Sequence, residues 1–304
     1  MPAEKVAAKI LLFHGISSTS SYGIENYSKK HLPLDDFRTE IIALKNQSNI
    51  IPLRELVSLL KSQKSLPPNS VAITFDDSFK SIYTCAFPLL KQYDLPATFF
   101  ITTGFVETSR YYWVDLVEHS INLTSKSNLT LPLNGHDVTF PICSPEEKIW
   151  AVTTVKRLLK KLLPLERDQA LAELQEQTNV NSKENVPNYS HLSWDDVLSL
   201  DSPPQFEVGG HSVNHEILSY LSQPALHFEV WECKRHLEEH LNHHINLFAY
   251  PEGQQDHFNE EVIRELKSAG ITICPTAIPG VNYPGTDPFH LKRIRIGRPK
   301  QFEY

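Results

Sequence analysis

The sequence predicts an α/β protein built on a parallel β-sheet, either doubly wound or closed into a barrel. Three observations point there. Short apolar runs rich in β-branched and aromatic residues alternate with stretches of helical periodicity. Residues of about 107–192 interrupt that rhythm with a different pattern. The most polar, reactive residues stand where apolar runs end, which is where sites assemble on parallel sheets.

The candidate strands, in order, are Lys9–Phe13, Thr39–Ala43, Val71–Phe75, Thr98–Thr102, Phe206–Val208, Asn246–Tyr250, Ile271–Cys274 and Leu291–Ile296. Helical patterns fall between them at Leu53–Leu60, Phe79–Tyr93, Ala225–Leu241 and Asn259–Ala269. In the third, Val230, Cys233, Leu237 and Leu241 recur at steps of three and four and form one apolar stripe. Within the interruption, Leu131-Pro132-Leu133 and Val138-Thr139-Phe140 flank an Asn134-Gly135 turn and predict a hairpin. Glu146–Leu174 is helical with a break at Pro164, and Thr178–Tyr189 is a polar loop. Motifs on both sides of this segment belong to one site. The chain is therefore expected to be a single domain over 1–304, with 107–192 as an inserted cap that closes over one rim of the sheet and sets specificity.

Composition narrows the function. The 304 residues are 40% hydrophobic and 21% charged, the balance of a folded globular chain. A formal net charge of −7 argues against nucleic acid or an anionic membrane as partner, since both need clustered Lys and Arg. No apolar run approaches the roughly 18–20 residues of a membrane span. Ile10-Leu11-Leu12-Phe13 is shorter than a secretory apolar core, so the expectation is a cytoplasmic protein. Cys85, Cys143, Cys233 and Cys274 form no C-x-x-C pair and read as structural thiols.

The chemistry gathers at four strand ends. Ile10–Phe13 ends in His14, Val71–Phe75 in Asp76-Asp77, Phe206–Val208 in Gly209-Gly210-His211, and Leu247–Ala249 in Tyr250-Pro251. Asp76 or Asp77 caps the following helix in the plainer reading. Two adjacent carboxylates at a buried strand end also repel each other, and a cation would relieve that. His211-Ser212-Val213-Asn214-His215 places two imidazoles four apart, on one face if a helical turn starts there. With one carboxylate they make a three-ligand site that leaves a position open. Two ordinary surface histidines are the alternative. A rival stands at His236-Leu237-Glu238-Glu239-His240, the H-x-x-E-H pattern of one metallopeptidase class, against a solvated helix face.

Several motifs together resemble the polysaccharide deacetylase family (carbohydrate esterase family 4, the NodB-homology domain). VAITFDD at Val71–Asp77 resembles its first motif, GHSVNH at Gly210–His215 its second, and FAYPEG at Phe248–Gly253 its third. Leu11-Leu12-Phe13-His14, Pro96–Phe100, Leu192-Ser193-Trp194 and Leu291-Lys292-Arg293-Ile294 match further segments in the family's order. The resemblance implies a distorted (β/α) barrel of about seven parallel strands. It implies one divalent metal, usually zinc, on Asp77, His211 and His215, with Asp76 as general base. Such ligands also accept cobalt, nickel or iron. The oxyanion would meet the metal and a backbone N–H near Tyr250, Pro251 and Glu252.

The chain departs from the family pattern in places. Ala249 stands where an arginine often orients the base, and Arg293 is the candidate substitute. Glu252 replaces a frequent aromatic, and Ser78 follows Asp77 where glycine is usual. The late Leu-x-His motif that supplies the general acid has no clear counterpart. His14, which resembles a histidine ending the first strand in one branch of the family, is the first candidate and His290 the second. The function implied is removal of an N-acetyl group from an amino sugar in a glycan, lipid-linked glycan or sugar precursor. Trp194, Trp113, Tyr111 and Tyr250 are candidate platforms for a sugar face. Hydrolysis of an amide or imide in a small nitrogenous compound is the alternative on the same scaffold. A non-catalytic glycan-binding domain would need neither the base nor the ligands.

Overall fold

The computed structural model describes residues 7–62, 66–133, 136–180 and 186–297. In chain order the strands are β1 (Lys9–Phe13), β2 (Ile16–Ser17), β3 (Leu32–Pro33), β4 (Asn49–Ile50), β5 (Ser70–Phe75), β6 (Ala97–Ile101), β7 (Asn128–Leu133), β8 (His136–Pro141), β9 (Phe206–Gly210) and β10 (Ile294–Arg295). The α-helices are α1 (Leu34–Gln47), α2 (Leu53–Ser62), α3 (Phe87–Tyr93), α4 (Trp113–Leu123), α5 (Pro145–Leu159), α6 (Pro164–Thr178), α7 (Trp194–Asp201), α8 (Gln223–Leu241) and α9 (Glu260–Ser268). Two compact units result: Met1–Ser18, His31–Thr108 and His191–Gly297 form one, and Thr19–Lys30 with Ser109–Ser190 form the other.

The larger unit holds a parallel sheet in the order β10-β1-β5-β6-β9, with β4 also on β5. All residues of β5, β6 and β9 are buried, the signature of strands covered on both faces. On one face Phe13 stacks on Phe75 at 5.2 Å and Phe75 on Phe99 at 5.4 Å, while Phe37 of α1 closes edge-on at 5.5 Å from Phe13. On the other, Ile10, Ala72, Phe100, Leu247 and Leu291 bury the apolar side of α2, whose Leu53, Leu56, Val57 and Leu60 point inward. Removing one such phenylalanine side chain costs about 3–5 kcal/mol, because the cavity collapses only in part.

Three expectations need correction. Thr39–Ala43 is not a strand but the middle of α1. Phe37 and Ile41 share its buried face four residues apart, and the Thr39 hydroxyl bonds the Asp35 carbonyl at 2.9 Å as helical threonines do. Phe79–Tyr93 is helical from Lys80 on but not α-helical throughout, because a π turn at Ile82–Ala86 runs straight into α3 and Phe87 N–H reaches back to the Ile82 carbonyl. Pro88 has no N–H for an ordinary helical bond, which explains the change of hydrogen-bonding pattern. Asn246–Tyr250 and Ile271–Cys274 pair only through isolated bridges, Gly210 with Phe248 and Leu247 with Ile273.

In the smaller unit, α4, α5 and α6 pack with the β7–β8 hairpin around Val117, Ile121, Leu131, Phe140, Val152, Val155 and Leu174. The Asn134-Gly135 turn lies outside the described residues. A capping box fixes the start of α5: Glu147 N–H donates to Ser144 Oγ and Ser144 N–H to Glu147 Oε2. Buried Glu118 accepts from Lys156 at 3.1 Å, Tyr189 at 3.1 Å and the Asn26 N–H at 2.7 Å. Burial first, and then the Glu118 charge, push the Tyr189 phenol well above its ordinary range. No helix among the described residues is long and apolar enough to cross a membrane.

All four cysteines are free, with Cys143 exposed and Cys233 and Cys274 buried. Burial pushes the Cys233 thiol up to about 12. Iodoacetamide under native conditions is therefore expected to label Cys143 and spare Cys233 and Cys274, as read by peptide mass mapping. Native labelling of Cys233 would mean that the buried face of α8, with Val230 and Leu237, opens to solvent.

Candidate metal centre

Parallel pairing sets the strand ends level. Phe13 is in register with Phe75 and Ile101 with Gly210. The next residues continue the ladder: Asp76 N–H donates to the Phe13 carbonyl at 2.9 Å and His211 N–H to the Ile101 carbonyl at 2.8 Å. Asp76 and Asp77 are 3% and 5% exposed, and Asp77 takes a left-handed φ of 72°. Gly210 is required by a close approach, since a Cβ there would lie 2.7 Å from the Phe248 ring.

The second motif is not a helical turn as the spacing suggested. Ser212 and His215 have φ of 65° and 59°, and the N–H groups of Val213 and Asn214 both go to Glu229 Oε2 at 2.8 Å. The two imidazoles nevertheless meet, with ring centroids 4.9 Å apart. Asp77 Oδ1 lies 3.3 Å from His215 Nε2 and 3.7 Å from His211 Nε2. One ligand atom from each of Asp77, His211 and His215 falls within 4.8 Å of the others, the only such group among the described residues. His211 Nδ1 bonds the Ala249 carbonyl at 2.8 Å, which fixes the proton there and leaves Nε2 as a lone-pair donor. Burial pushes His211 below its ordinary range, against the pull of Asp76 and Asp77, and so favours the neutral, ligating form. Two imidazole nitrogens and one carboxylate oxygen fit a divalent cation with open positions.

Beside this group, Arg293 clamps Asp76. Nη1 reaches Oδ1 and Nη2 reaches Oδ2, each at 2.7 Å. The guanidinium also donates from Nε to the Thr276 carbonyl at 2.6 Å and from Nη1 to Thr74 Oγ1 at 3.2 Å. Burial alone would raise the Asp76 carboxyl, but Arg293 and the neighbouring histidines hold it below the usual carboxylate range. Asp76 is thus an anion 3.8 Å from His211 Nε2.

The remaining candidates are more scattered. His14 follows β1 directly and is half-buried, beside the Phe13 carbonyl that receives Asp76. His290 is exposed and lies 3.4 Å from Asp287. Tyr250 is fully buried: its hydroxyl donates to the Phe289 carbonyl at 3.2 Å, its N–H goes to Pro275, and its ring stacks on Phe258 at 4.4 Å. One face of the Trp194 indole lies flat on His240 at 3.7 Å. His236 bonds Thr103 Oγ1 at 3.2 Å, so the His236–His240 pattern brings no ligand group together. Trp113 and Tyr111 pack within the smaller unit, Tyr111 against His119 and Tyr189. Glu229 was missed by the sequence reading. Its signal was an acid on the apolar stripe of α8, between Leu226 and Cys233.

Fold and site define a candidate divalent-cation centre beside a clamped aspartate on a parallel α/β scaffold, and comparison gives it a family. Residues 63–274 match the family model of polysaccharide deacetylases, and the chain belongs to that family. A poly-beta-1,6-N-acetyl-D-glucosamine N-deacetylase of Staphylococcus epidermidis is 34% identical over 112 residues, 36% of this chain and 35% of that protein. One of the same description from Staphylococcus aureus is 37% identical over 100 residues, 33% of each. The chain thus spans about a third of the length of these relatives, 35% and 33%. Among solved structures, the Streptococcus pyogenes deacetylase PplD in complex with acetate superposes with a TM-score of 0.61 at 19% identity, covering 96% of this chain and 93% of that one. IcaB from Ammonifex degensii gives 0.61 at 18% identity over 98% and 94%. At those identities the likeness is one of fold.

Because Asp76 and Arg293 are both buried, removing one strands the charge of the other. Arg293→Ala is expected to lower unfolding free energy by about 3–5 kcal/mol in urea titration. A loss as small as that of an exposed pair would show that water reaches Asp76.

Proposed function

We propose that the chain is a metal-dependent deacetylase that hydrolyses an N-acetyl group on an amino sugar within a glycan. The observation that carries the reading is the convergence of Asp77, His211 and His215 beside an Asp76 carboxylate clamped by Arg293. Membership of the polysaccharide deacetylase family supports it, as does the activity named for the staphylococcal relatives. N-acetylglucosamine oligomers are accordingly the substrate class to test first. The same reading takes the sheet as a distorted (β/α) barrel of about seven strands. Main-chain bonds from Phe248 to Ile273, Thr276 to Leu291 and Arg293 to Ile278 support it.

Asp77 Oδ1, His211 Nε2 and His215 Nε2 would hold one divalent cation, zinc first, with cobalt, nickel or iron accepted by the same donors. When bound, such an ion supplies a Lewis acid for the acetamide carbonyl and lowers the pKa of water. Asp76 accepts the water proton as the oxygen adds to the carbonyl carbon, and Arg293 keeps it ionised and aimed for that transfer. For the oxyanion the candidate donor is a main-chain N–H of the Tyr250–Glu252 segment; Pro251 has none, and that of Tyr250 goes to the Pro275 carbonyl. The departing amine takes a proton from a general acid. His14 is the first candidate, since it extends β1 beside Asp76, and His290 is the second.

Wild-type protein reconstituted with zinc should hold about one equivalent by mass spectrometry, and the Asp77→Ala/His211→Ala/His215→Ala protein none. Asp76→Asn should retain the metal yet release acetate from N-acetylglucosamine oligomers at least ~100-fold more slowly. Full turnover in that variant would remove Asp76 from the role of base.

Arg293→Lys keeps a cation but loses the two-pronged contact. Asp76 is then held down less strongly and stays protonated to higher pH, so the acid limb of kcat/KM is expected to move upward. A pH–rate profile that does not move would separate Arg293 from the base.

A further inference from the structure

Glu229 sits on α8 among Leu226, Val230 and Cys233, all buried. A carboxylate on such a stripe is costly unless its oxygens are satisfied. Here both are. Oε2 accepts the N–H groups of Val213 and Asn214, and Oε1 accepts the Asn214 side-chain amide, all at 2.8 Å. The Ser212 hydroxyl is bonded to Glu229 as well. Ser212 Oγ in turn accepts the N–H of His215 at 2.9 Å. One carboxylate therefore reaches every residue between the two histidines, and through Ser212 the main chain of the second.

The segment needs such a hold. Ser212 and His215 are both in the left-handed region, which side-chain-bearing residues adopt only when the surroundings over-determine it. Thr103 and Gly104 grip the opposite edge, donating to the Ser212 carbonyl at 3.1 Å and the Val213 carbonyl at 2.9 Å. Glu229 supplies the acceptors that those donors cannot.

We propose that Glu229 is a positioning residue of the metal centre: an acceptor-only group that holds Ser212–His215 in its left-handed course and so sets where the His215 imidazole stands relative to His211. The proposal rests on the reading of Asp77, His211 and His215 as metal ligands. Glutamine in its place can still take both main-chain N–H groups on its single carbonyl oxygen. It meets the Asn214 amide only if that amide turns over.

The test uses the whole chain as wild type, Glu229→Ala and Glu229→Gln. Zinc affinity is measured by competition with a chromophoric chelator, and amide hydrogen exchange by mass spectrometry on the metal-free proteins. Glu229→Ala is expected to bind zinc about 10–100-fold more weakly, the usual effect of losing a group that orients a ligand. It should exchange faster at 213–215, with β5 unchanged, and Glu229→Gln should recover most of both. Wild-type affinity in Glu229→Ala, unchanged exchange at 213–215, or equal losses in both variants with faster exchange throughout would overturn the assignment. If Glu229→Ala does not fold, Ser212→Ala cuts the link to the His215 N–H. Undiminished zinc binding by that variant, with exchange at 213–215 no faster than in wild type, then overturns it. A wild type that binds no divalent ion takes down the metal reading itself, whereas metal bound equally by wild type and Glu229→Ala removes only the role of Glu229.

Discussion

Level parallel register is the constraint on which everything else in the larger unit rests. Because Phe13 pairs with Phe75, and Ile101 with Gly210, the residues that follow them emerge side by side. A slip of one residue between β5 and either neighbour would turn Phe75 from the aromatic row into the opposite layer and send Asp76 away from Arg293. The row of Phe13, Phe75 and Phe99 makes such a slip expensive, since each ring stacks on the next. The apolar core thus sets the strand ends level, and polar partners such as Arg293 and Glu229 act on the residues that follow them.

At the centre itself the backbone leaves its comfortable regions. Asp77, Ser212, His215 and Glu252 all have φ between 59° and 72°, and none is glycine. Each such residue costs of order 1–3 kcal/mol, paid by the surroundings. All four fall in the three segments where the family motifs stand. Glycine would relax them but would forfeit the side chains of Asp77 and His215, two of the three candidate ligands. The cost is met by identifiable partners: the Glu229 carboxylate for the second segment, and the main-chain ladder from Phe13 for the first.

What was legible in the sequence follows from how local each signal was. β1, β5 and β9 are short apolar runs ending in reactive residues, β6 is equally apolar, and the eye finds those directly. Thr39–Ala43 has the same β-branched composition, but Phe37 and Ile41 place its apolar face at helical spacing, and burial overrode propensity. The course of Ser212–His215 was not legible, because it depends on an acid fourteen residues beyond His215 on another element. Tyr250 shows the converse: its motif marks it, yet both of its hydrogen-bonding groups are turned into the protein. Arg293 was found only through the run Leu291–Ile294, since nothing local says what a buried arginine faces.

The contact between Arg293 and Asp76 joins residues 217 apart. Chains are made from the amino terminus at roughly 5–20 residues per second. For some tens of seconds the ribosome therefore displays β1, β5 and β6 without the cation that makes a buried Asp76 tolerable. The early strands have every apolar reason to collapse, and one carboxylate that must stay wet or protonated while they do. The segment of β10 does more than complete a sheet. It brings the counter-charge that allows the interior to dry, so the centre can mature only after the segment carrying Arg293 has been made.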